Sequence, residues 1–178
     1  IPYIIIGGFK FYERKEVKDV LCYLRYIHNE NDTVSLKRII NSPSRGIGEK
    51  SLDNFFSEQK KTPAIEKFFE LIAELRARQA DMPLSKFIRL VAEKSGFEEK
   101  YKNGGTEDAA RWENILELAG VADEYTSTSS DALEIFLQRS ALSDRASADK
   151  QKAIRLMTMH SAKGLEFSVV FVLGMEDN

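Results

Sequence analysis

A short segment with two glycines contains the first residues whose types and spacing could bind a ligand. Its sequence is Asn41-Ser42-Pro43-Ser44-Arg45-Gly46-Ile47-Gly48-Glu49-Lys50. Gly46 and Gly48 allow backbone angles that other residues avoid, and the apolar Ile47 between them would hold a tight turn against the core. The backbone amides that open the next helix would then face outward, where a phosphate could accept hydrogen bonds from them. The pattern leaves two interpretations open, a phosphate-binding hairpin and an ordinary turn between two helices.

The charge around this segment favours an anionic ligand. Four basic residues lie close together in the sequence, with only Glu49 against them: Lys37, Arg38, Arg45 and Lys50. The whole chain has 26 Lys and Arg residues against 28 Asp and Glu residues, which gives a formal net charge of -2. Bulk charge therefore supplies no argument for nucleic-acid binding, and any contact with DNA must come from local geometry.

A second polar cluster follows a predicted strand near the end of the sequence. It consists of His160, Lys163 and Glu166. In α/β sheets, ligands gather at the carboxyl ends of the strands. The imidazole could donate to a phosphate or stack on a base, the ammonium could pair with a backbone group or a carboxylate, and the carboxylate could accept from a ribose hydroxyl. Surface polar residues on a connecting turn are the alternative interpretation.

A glycine pair, Gly7 and Gly8, directly follows an apolar run and precedes an amphipathic stretch that contains Arg14. Such a pair permits a tight turn and a close approach of the backbone to a phosphate. The P-loop pattern Gly-x4-Gly-Lys-Ser/Thr occurs nowhere in the chain, so this sequence alone is not expected to grip a nucleotide in the usual way. A plain strand-to-helix turn with a solvated Arg14 is the alternative.

The elements that must position these segments form a helical centre and two apolar flanks. Apolar residues recur with the 3.6-residue period of helices in stripes at 17–27, 36–40, 52–56, 65–75, 84–91, 112–121 and 133–142. Residues 4–6 and 169–173 are continuously apolar, which is typical of strands buried in a parallel sheet, and residues 153–158 alternate as a third strand would. The pattern predicts a mainly α fold, a helical insertion flanked by a few parallel strands of an incomplete α/β domain.

Length and composition restrict the remaining functional classes. The 178 residues suit one domain rather than a complete motor, and 43% hydrophobic content is that of a globular chain. The sequence starts at Ile1 without an initiator Met, and we expect it to be a piece of a longer protein. No apolar stretch is long enough to predict a membrane span. Cys22 is the only cysteine, and the histidines at 28 and 160 are not spaced as a ligand pair, so neither a metal site nor a catalytic triad is predicted.

Three strings, in this order and spacing, resemble the UvrD/Rep/PcrA family of DNA helicases. They are Gly7-Gly8-x-x-Phe11-x-x-Arg14-x-Glu16-Val17-Lys18-Asp19, Ser42-Pro43-x-Arg45-Gly46-Ile47-Gly48 and Met157-Thr158-x-His160-x-Ala162-Lys163-Gly164-Leu165-Glu166-Phe167. The first is similar to a motif of the family's second RecA-like domain, the second to the glycine hairpin of its inserted helical subdomain, and the third to its motif V. The resemblance covers essentially the whole chain and is weakest from about residue 57 to 150, where the insertion is shorter than we expect.

The resemblance implies a division into three segments. Residues 1–30 would be the N-terminal piece of the second RecA-like motor domain, residues 31–150 the helical insertion subdomain, and residues 151–178 the C-terminal piece with motif V. The insertion would swivel about hinges near residues 30 and 150. The family's P-loop, Walker B acidic pair and arginine fingers have no counterpart here. We therefore expect the fragment alone to be inactive as an ATP hydrolase, with ATP and Mg²⁺ bound by the parent enzyme and none by the fragment.

The resemblance also implies roles for individual residues. Arg14 and His160 would contact single-stranded DNA, and Glu166 would reach the ATP ribose. Duplex DNA ahead of the fork would contact the hairpin residues, which are Arg45, Gly46, Ile47, Gly48 and Lys50. Four other residues would hold the motifs in shape: Gly7, Gly8, Lys163 and Gly164. No catalytic or metal-binding residue is predicted in this chain.

The implied function is part of an ATP-dependent helicase that moves 3′ to 5′ and unwinds duplex DNA in replication or repair. The parent would be a cytoplasmic, nucleoid-associated protein of bacterial type, with DNA junctions, its own missing motor domains and repair proteins as partners. Two alternatives stay open: a helical module for protein docking and autoinhibition, and a subunit of a related helicase-nuclease. An exposed apolar patch away from residues 37–50 would favour docking, whereas a basic strip that includes Arg45 and Lys50 would favour duplex binding.

Overall fold

The computed structural model describes residues 3–6, 11–125, 131–146, 154–157, 162 and 166–173. The chain divides into two compact units. One unit contains Ile1–Phe9 and Ala146–Asn178, and the other contains Lys10–Arg145. The second unit is helical and includes the glycine hairpin, so the candidate interface is built on helices.

Eight α-helices are found among the described residues. They are α1 (Lys15–His28), α2 (Thr33–Ile39), α3 (Glu49–Glu58), α4 (Pro63–Arg78), α5 (Leu84–Ser95), α6 (Phe97–Lys102), α7 (Thr106–Val121) and α8 (Asp131–Ala146). Short 3-10 helices occur at Phe11–Glu13, Gln79–Asp81 and Ala122–Glu124. The mainly helical fold class is thereby confirmed. None of the helices in the described ranges is long and apolar enough to cross a membrane.

Local sequence signals fix the ends of several helices. The Asp32 carboxylate accepts a hydrogen bond from the Ser35 backbone N–H at 2.9 Å and so caps the start of α2. Pro63 occupies the first turn of α4, where its missing N–H costs no helical hydrogen bond. Gly96 ends α5 with a φ of 93°, a left-handed conformation that suits glycine. These boundaries agree with the predicted stripes because each depends on a few neighbouring residues.

The core of the helical unit surrounds α1. This helix packs against α2, α4, α5 and α7. Its Tyr23 is fully buried, with its ring centre 5.9 Å from that of Phe97 and 6.3 Å from that of Phe68. Burial of a large apolar side chain stabilises a fold by about 1.5–3 kcal/mol. The aromatic contacts of Tyr23 therefore join α1 to α4 and α6.

Helix α1 lies in the helical unit, which differs from the division predicted from the sequence. That division ends the first motor-domain piece at residue 30, whereas the compact helical unit starts at Lys10. The physical reason is the apolar face of α1, since Val17, Val20 and Leu24 are fully buried in the core of this unit. The hinge predicted near residue 30 therefore falls inside one compact unit. The hinge predicted near residue 150 lies outside the described residues.

Two short strands form a parallel pair in the other unit. They are β1 (Tyr3–Ile6) and β2 (Ile154–Met157), paired from Tyr3 opposite Ile154 to Ile6 opposite Met157. Parallel neighbours require a long connection, and the helical unit lies between these two strands in the sequence. The assignment of the pair to an incomplete RecA-like domain stays a prediction.

The strand predicted at residues 169–173 is wrong. The residues described there form no strand, and the side chains of Phe171 and Leu173 are 85% and 86% exposed. An apolar run becomes a strand only when a neighbouring strand satisfies its backbone hydrogen-bonding groups. Within the described ranges, β1 and β2 pair with each other and neither pairs with this run.

Candidate nucleic-acid interface

The glycine hairpin connects the end of α2 to the start of α3. The segment leaves α2 after Ile39 and enters α3 at Glu49. Gly46 has a φ of 69°, in the left-handed region that favours glycine. Ile47 is 5% exposed and packs into the core, as its sequence context predicts. The tight turn between two helices is therefore confirmed.

The Asn41 side chain closes the turn from within. Its Nδ2 donates to the Ile47 carbonyl oxygen at 2.9 Å, and its Oδ1 accepts from the Arg45 backbone N–H at 2.8 Å. One amide thereby satisfies a donor and an acceptor of the loop, which fixes the loop conformation. We call Asn41, Arg45 and Ile47 the inner face of the hairpin.

The guanidinium of Arg45 is engaged by the protein itself. Its Nη2 donates to the Tyr23 hydroxyl at 2.6 Å and to the Ser95 carbonyl oxygen at 3.0 Å. Its Nη1 donates to the carbonyl oxygens of Pro43 and Ile39 at 2.9 and 3.3 Å. Two of these four hydrogen bonds tie the hairpin to α1 and α5, and the other two close the hairpin on itself and on the end of α2. Direct contact of Arg45 with duplex DNA stays a prediction.

Two buried polar residues of α1 hold the start of the hairpin. The Tyr23 hydroxyl donates to the Ser42 carbonyl oxygen at 2.8 Å. Burial raises the pKa of Tyr23 to about 12, although the nearby charge of Arg45 opposes this shift, and the phenol therefore remains a neutral donor. Asp19 is 2% exposed and accepts from the Ser42 hydroxyl at 3.0 Å and from the Arg38 guanidinium at 2.7 Å.

The outer face of the hairpin, which we define as Gly46, Gly48 and Lys50, is exposed to solvent. A Cβ added at either glycine would meet no atom within 4 Å. Gly48 is the N-cap of α3, and no described residue accepts the backbone N–H groups of Gly48, Glu49 or Lys50. A phosphate at this place would meet these donors and the positive end of the helix dipole. The Glu49 carboxylate opposes an anion there.

The four basic residues around the hairpin do not form one free patch. Arg45 is engaged internally, and Arg38 forms an ion pair with the buried Asp19. The Lys37 ammonium lies over an aromatic ring near the other end of α3. Of the four, Lys50 alone has no partner among the described residues. The positive charge available to a phosphate is therefore smaller than the sequence count indicates.

Arg14, for which a single-stranded DNA contact is predicted, lies against α7. Its guanidinium donates to the Asn114 side-chain oxygen and lies 4.0 Å from the Glu117 carboxylate. Asn114 donates in turn to the carboxylate of Glu16 at 2.6 Å, and Glu16 is 4% exposed. This network orients the Arg14 side chain, and none of its hydrogen bonds reaches the hairpin. Contact of Arg14 with DNA stays a prediction.

Most of the other predicted site residues lie outside the described residues. These are Gly7, Gly8, His160, Lys163 and Gly164. Glu166 is described and exposed, and it belongs to the unit that contains β1 and β2. The contacts predicted for this group with a DNA strand, with the ATP ribose and within their motifs stay predictions.

Most of the residues that position the hairpin were not predicted from the sequence. Asn41 could have been recognised, since Asn at the start of a turn commonly hydrogen-bonds the backbone a few residues further on. Tyr23 and Ser95 lie 22 and 50 residues from Arg45 in the sequence, so no local pattern connects them with it. Asp19 stands in the first resemblance string, but nothing in the string indicates that its carboxylate is buried.

Comparison with known families identifies the class of protein. The model for the UvrD-like helicase C-terminal domain matches residues 1–178, and the chain belongs to this family. The chain is 39% identical over 204 residues to the ATP-dependent DNA helicase PcrA of Staphylococcus epidermidis. It is also 39% identical over 204 residues to the ATP-dependent DNA helicase PcrA of Staphylococcus aureus, and both alignments cover 100% of this chain. The resemblance found from the sequence motifs is thereby confirmed.

The matched region is a limited part of those relatives. The chain spans about 28% of the length of the curated relatives it matches. The alignments extend over 204 residues and this chain has 178, so the relatives contain residues in the matched region that this chain lacks. The expectation that the insertion is short stays a prediction. The activity named for the complete relatives therefore enters only as a proposal for this chain.

Proposed function

We propose that this chain is the part of an ATP-dependent DNA helicase that holds duplex DNA through the outer face of the hairpin. Membership of the UvrD-like family supports the helicase assignment. The observation that supports the duplex contact is the row of unpartnered backbone donors at Gly48, Glu49 and Lys50. Phosphates bind at such helix starts without any base being read. Binding is therefore expected to be independent of DNA sequence.

The two faces of the hairpin have different roles in this proposal. Gly48 and Lys50 contact the phosphate, because their backbone donors and the Lys50 ammonium are exposed. Gly46 supplies the left-handed residue of the turn. Arg45 and Ile47 act by holding the loop in the conformation that presents these donors. Duplex affinity thus depends on both faces, but stability depends mainly on the inner one.

The remaining roles belong to the complete enzyme. Closure of two RecA-like motor domains on ATP and Mg²⁺ would drive movement 3′ to 5′ along one strand. Arg14 and His160 would contact that strand, and Glu166 would reach the ATP ribose. This chain has no P-loop pattern and is expected not to hydrolyse ATP by itself. The parent would act on junctions of duplex and single-stranded DNA in the cytoplasm, in replication or repair.

The test is binding of a fluorescently labelled duplex with a single-stranded tail, followed by anisotropy at low salt. Gly48→Ala is the decisive variant, because the added Cβ meets no protein atom but would keep a phosphate from approaching the backbone. Loss of even one hydrogen bond to a charged phosphate is expected to weaken binding about tenfold or more. Lys50→Ala should also reduce the slope of the logarithm of the binding constant against the logarithm of the salt concentration by about one, the value expected for one lost phosphate contact.

Lys86→Ala provides the matched control. Lys86 is exposed on α5, a helix outside the hairpin, and its removal should leave duplex affinity unchanged. Circular dichroism should show that all three variants keep the helical content of the original chain. The proposal fails if the unmodified chain does not bind duplex at low salt, or if Gly48→Ala binds as tightly as Lys86→Ala.

A further inference from the structure

A groove with an aromatic wall lies near the C-terminal end of α3. Its volume is about 430 Å³, and residues of α1, α2, α3 and α4 contribute to it. Phe55, Phe56 and Phe69 form the wall, with the ring centre of Phe55 5.0 Å from that of Phe56 and 5.5 Å from that of Phe69. This size and lining are typical of concave sites that enclose an apolar group.

Two lysines stand at the edge of the groove. The Lys37 ammonium lies 5.3 Å from the ring centre of Phe56, and the Lys61 ammonium lies 4.6 Å from that of Phe69. Both lysines are exposed, and in the described part of the chain neither forms an ion pair with a carboxylate. The lining residues include no Asp or Glu. The groove therefore combines an apolar wall with two positive charges that have no counter-charge.

The chemistry of the groove points to a negatively charged peptide. We propose that it binds an acidic segment of a partner protein, which places one large apolar side chain in the groove against the phenylalanines and its carboxylates beside Lys37 and Lys61. A nucleobase would stack on the face of an aromatic ring, but an ammonium already lies over Phe56 and over Phe69. An apolar side chain needs only the groove volume beside the rings and not a free ring face, so the peptide fits these observations better.

The groove and the outer face of the hairpin lie toward opposite ends of α3. The helix has 10 residues, and a rise of about 1.5 Å per residue separates its ends by about 15 Å. The groove and the outer face therefore share no residue. The peptide site does not depend on the proposed duplex contact, and each can fail without the other.

The probe is a fluorescent synthetic peptide in which Asp and Glu residues surround a single Phe, titrated with the chain at low salt. The double variant Lys37→Glu with Lys61→Glu should weaken binding about tenfold or more, because two attractions become repulsions. Replacement of the peptide Phe by Ala should weaken binding as well, since the apolar insertion is lost. Added salt should weaken binding to the unmodified chain.

A matched control reverses two charges elsewhere on the helical unit. Lys86 and Arg89 are exposed on α5 and have no partner among the described residues, so the double variant Lys86→Glu with Arg89→Glu should bind the peptide normally. The peptide proposal is overturned if the peptide does not bind the unmodified chain, or if both double variants bind it equally. It is also overturned if reversal at residues 37 and 61 weakens binding of a single-stranded oligonucleotide but not of the peptide. None of these outcomes bears on the proposed duplex contact, which the Gly48→Ala variant tests separately.

Discussion

The inner and outer faces of the hairpin differ in how their hydrogen-bonding groups are satisfied. On the inner face, the Asn41 amide and the Arg45 guanidinium have protein partners at 2.6–3.3 Å. On the outer face, the donors that open α3 have no partner among the described residues. The two faces belong to one short loop, so the contrast arises from the direction of each group and not from the composition of the segment.

This contrast separates stability from binding. A group with several internal partners contributes to folding and is costly to move, whereas an exposed unpartnered donor contributes little to folding and is available to a ligand. A basic side chain is therefore not a DNA contact merely because it stands near a hairpin. Variants of the two faces should differ in which measurement they change.

Replacement of Arg45 by Met should have the largest effect on stability. Met has no donor, so three carbonyl oxygens and the Tyr23 hydroxyl would lose a charged partner. We expect the free energy of unfolding to fall by about 3 kcal/mol. Urea unfolding followed by circular dichroism measures this change. Lys50→Met is the matched control on the outer face, and its unfolding free energy should stay within about 0.5 kcal/mol of the original. Equal losses in the two variants would contradict the difference between the faces.

The contacts of the Arg45 side chain also show which features of the hairpin cannot be predicted from the sequence. The turn itself was predictable, because glycine conformations and the apolar Ile47 are local features of the sequence. The partners of Arg45 are not local, since Tyr23 and Ser95 become its neighbours only when α1, α5 and the hairpin pack together. A count of the basic residues in the sequence therefore overestimates the positive charge that is available to a phosphate.

The same limit applies to the secondary structure. The stripes at 36–40 and 84–91 became helices whose ends are set by Asp32 and Gly96, local signals that act within one turn. Helix α6 (Phe97–Lys102) was missed because its six residues offer only Phe97 and Tyr101 as an apolar pair. The run at residues 169–173 has the composition of a buried strand, but composition does not provide the neighbouring strand that it requires.

The pKa of Tyr23 gives a second way to test the inner face. Its pKa is about 12 in the folded chain against an ordinary 10, so the unfolded chain releases this proton first. The stabilisation is complete below pH 10 and is lost as the pH rises through 12, at about 1.4 kcal/mol per pH unit for one such group. Burial also raises the pKa of Tyr101 to about 12, with Asp19 and Glu16 adding to the shift, and it raises the pKa of Tyr26, so three phenols contribute to the decline.

Tyr23→Phe should therefore make the decline in stability above pH 10 less steep by up to about 1.4 kcal/mol per pH unit, because one of the contributing phenols is removed. Unfolding free energies of both chains, measured by urea titration at several pH values, give the two slopes. Lys50→Met, which changes the outer face, should keep the slope of the original chain. An unchanged slope in Tyr23→Phe would show that the buried hydroxyl does not hold the hairpin through its neutral form.

Substitution of the two glycines should have the smallest effect on stability and the clearest contrast between measurements. Gly46 has a φ of 69°, so Gly46→Ala places a side chain in a left-handed conformation at a cost of about 1 kcal/mol. Gly48 has a φ of -72°, which any residue adopts, and Gly48→Ala should cost no more than about 0.5 kcal/mol. Under the proposed function, Gly48→Ala should weaken duplex binding more than Gly46→Ala does, because the Cβ at residue 48 would stand where the phosphate is proposed to approach. If Gly48→Ala lowers stability as much as Gly46→Ala and leaves duplex affinity unchanged, the exposed donors of α3 are part of the fold and not of an interface.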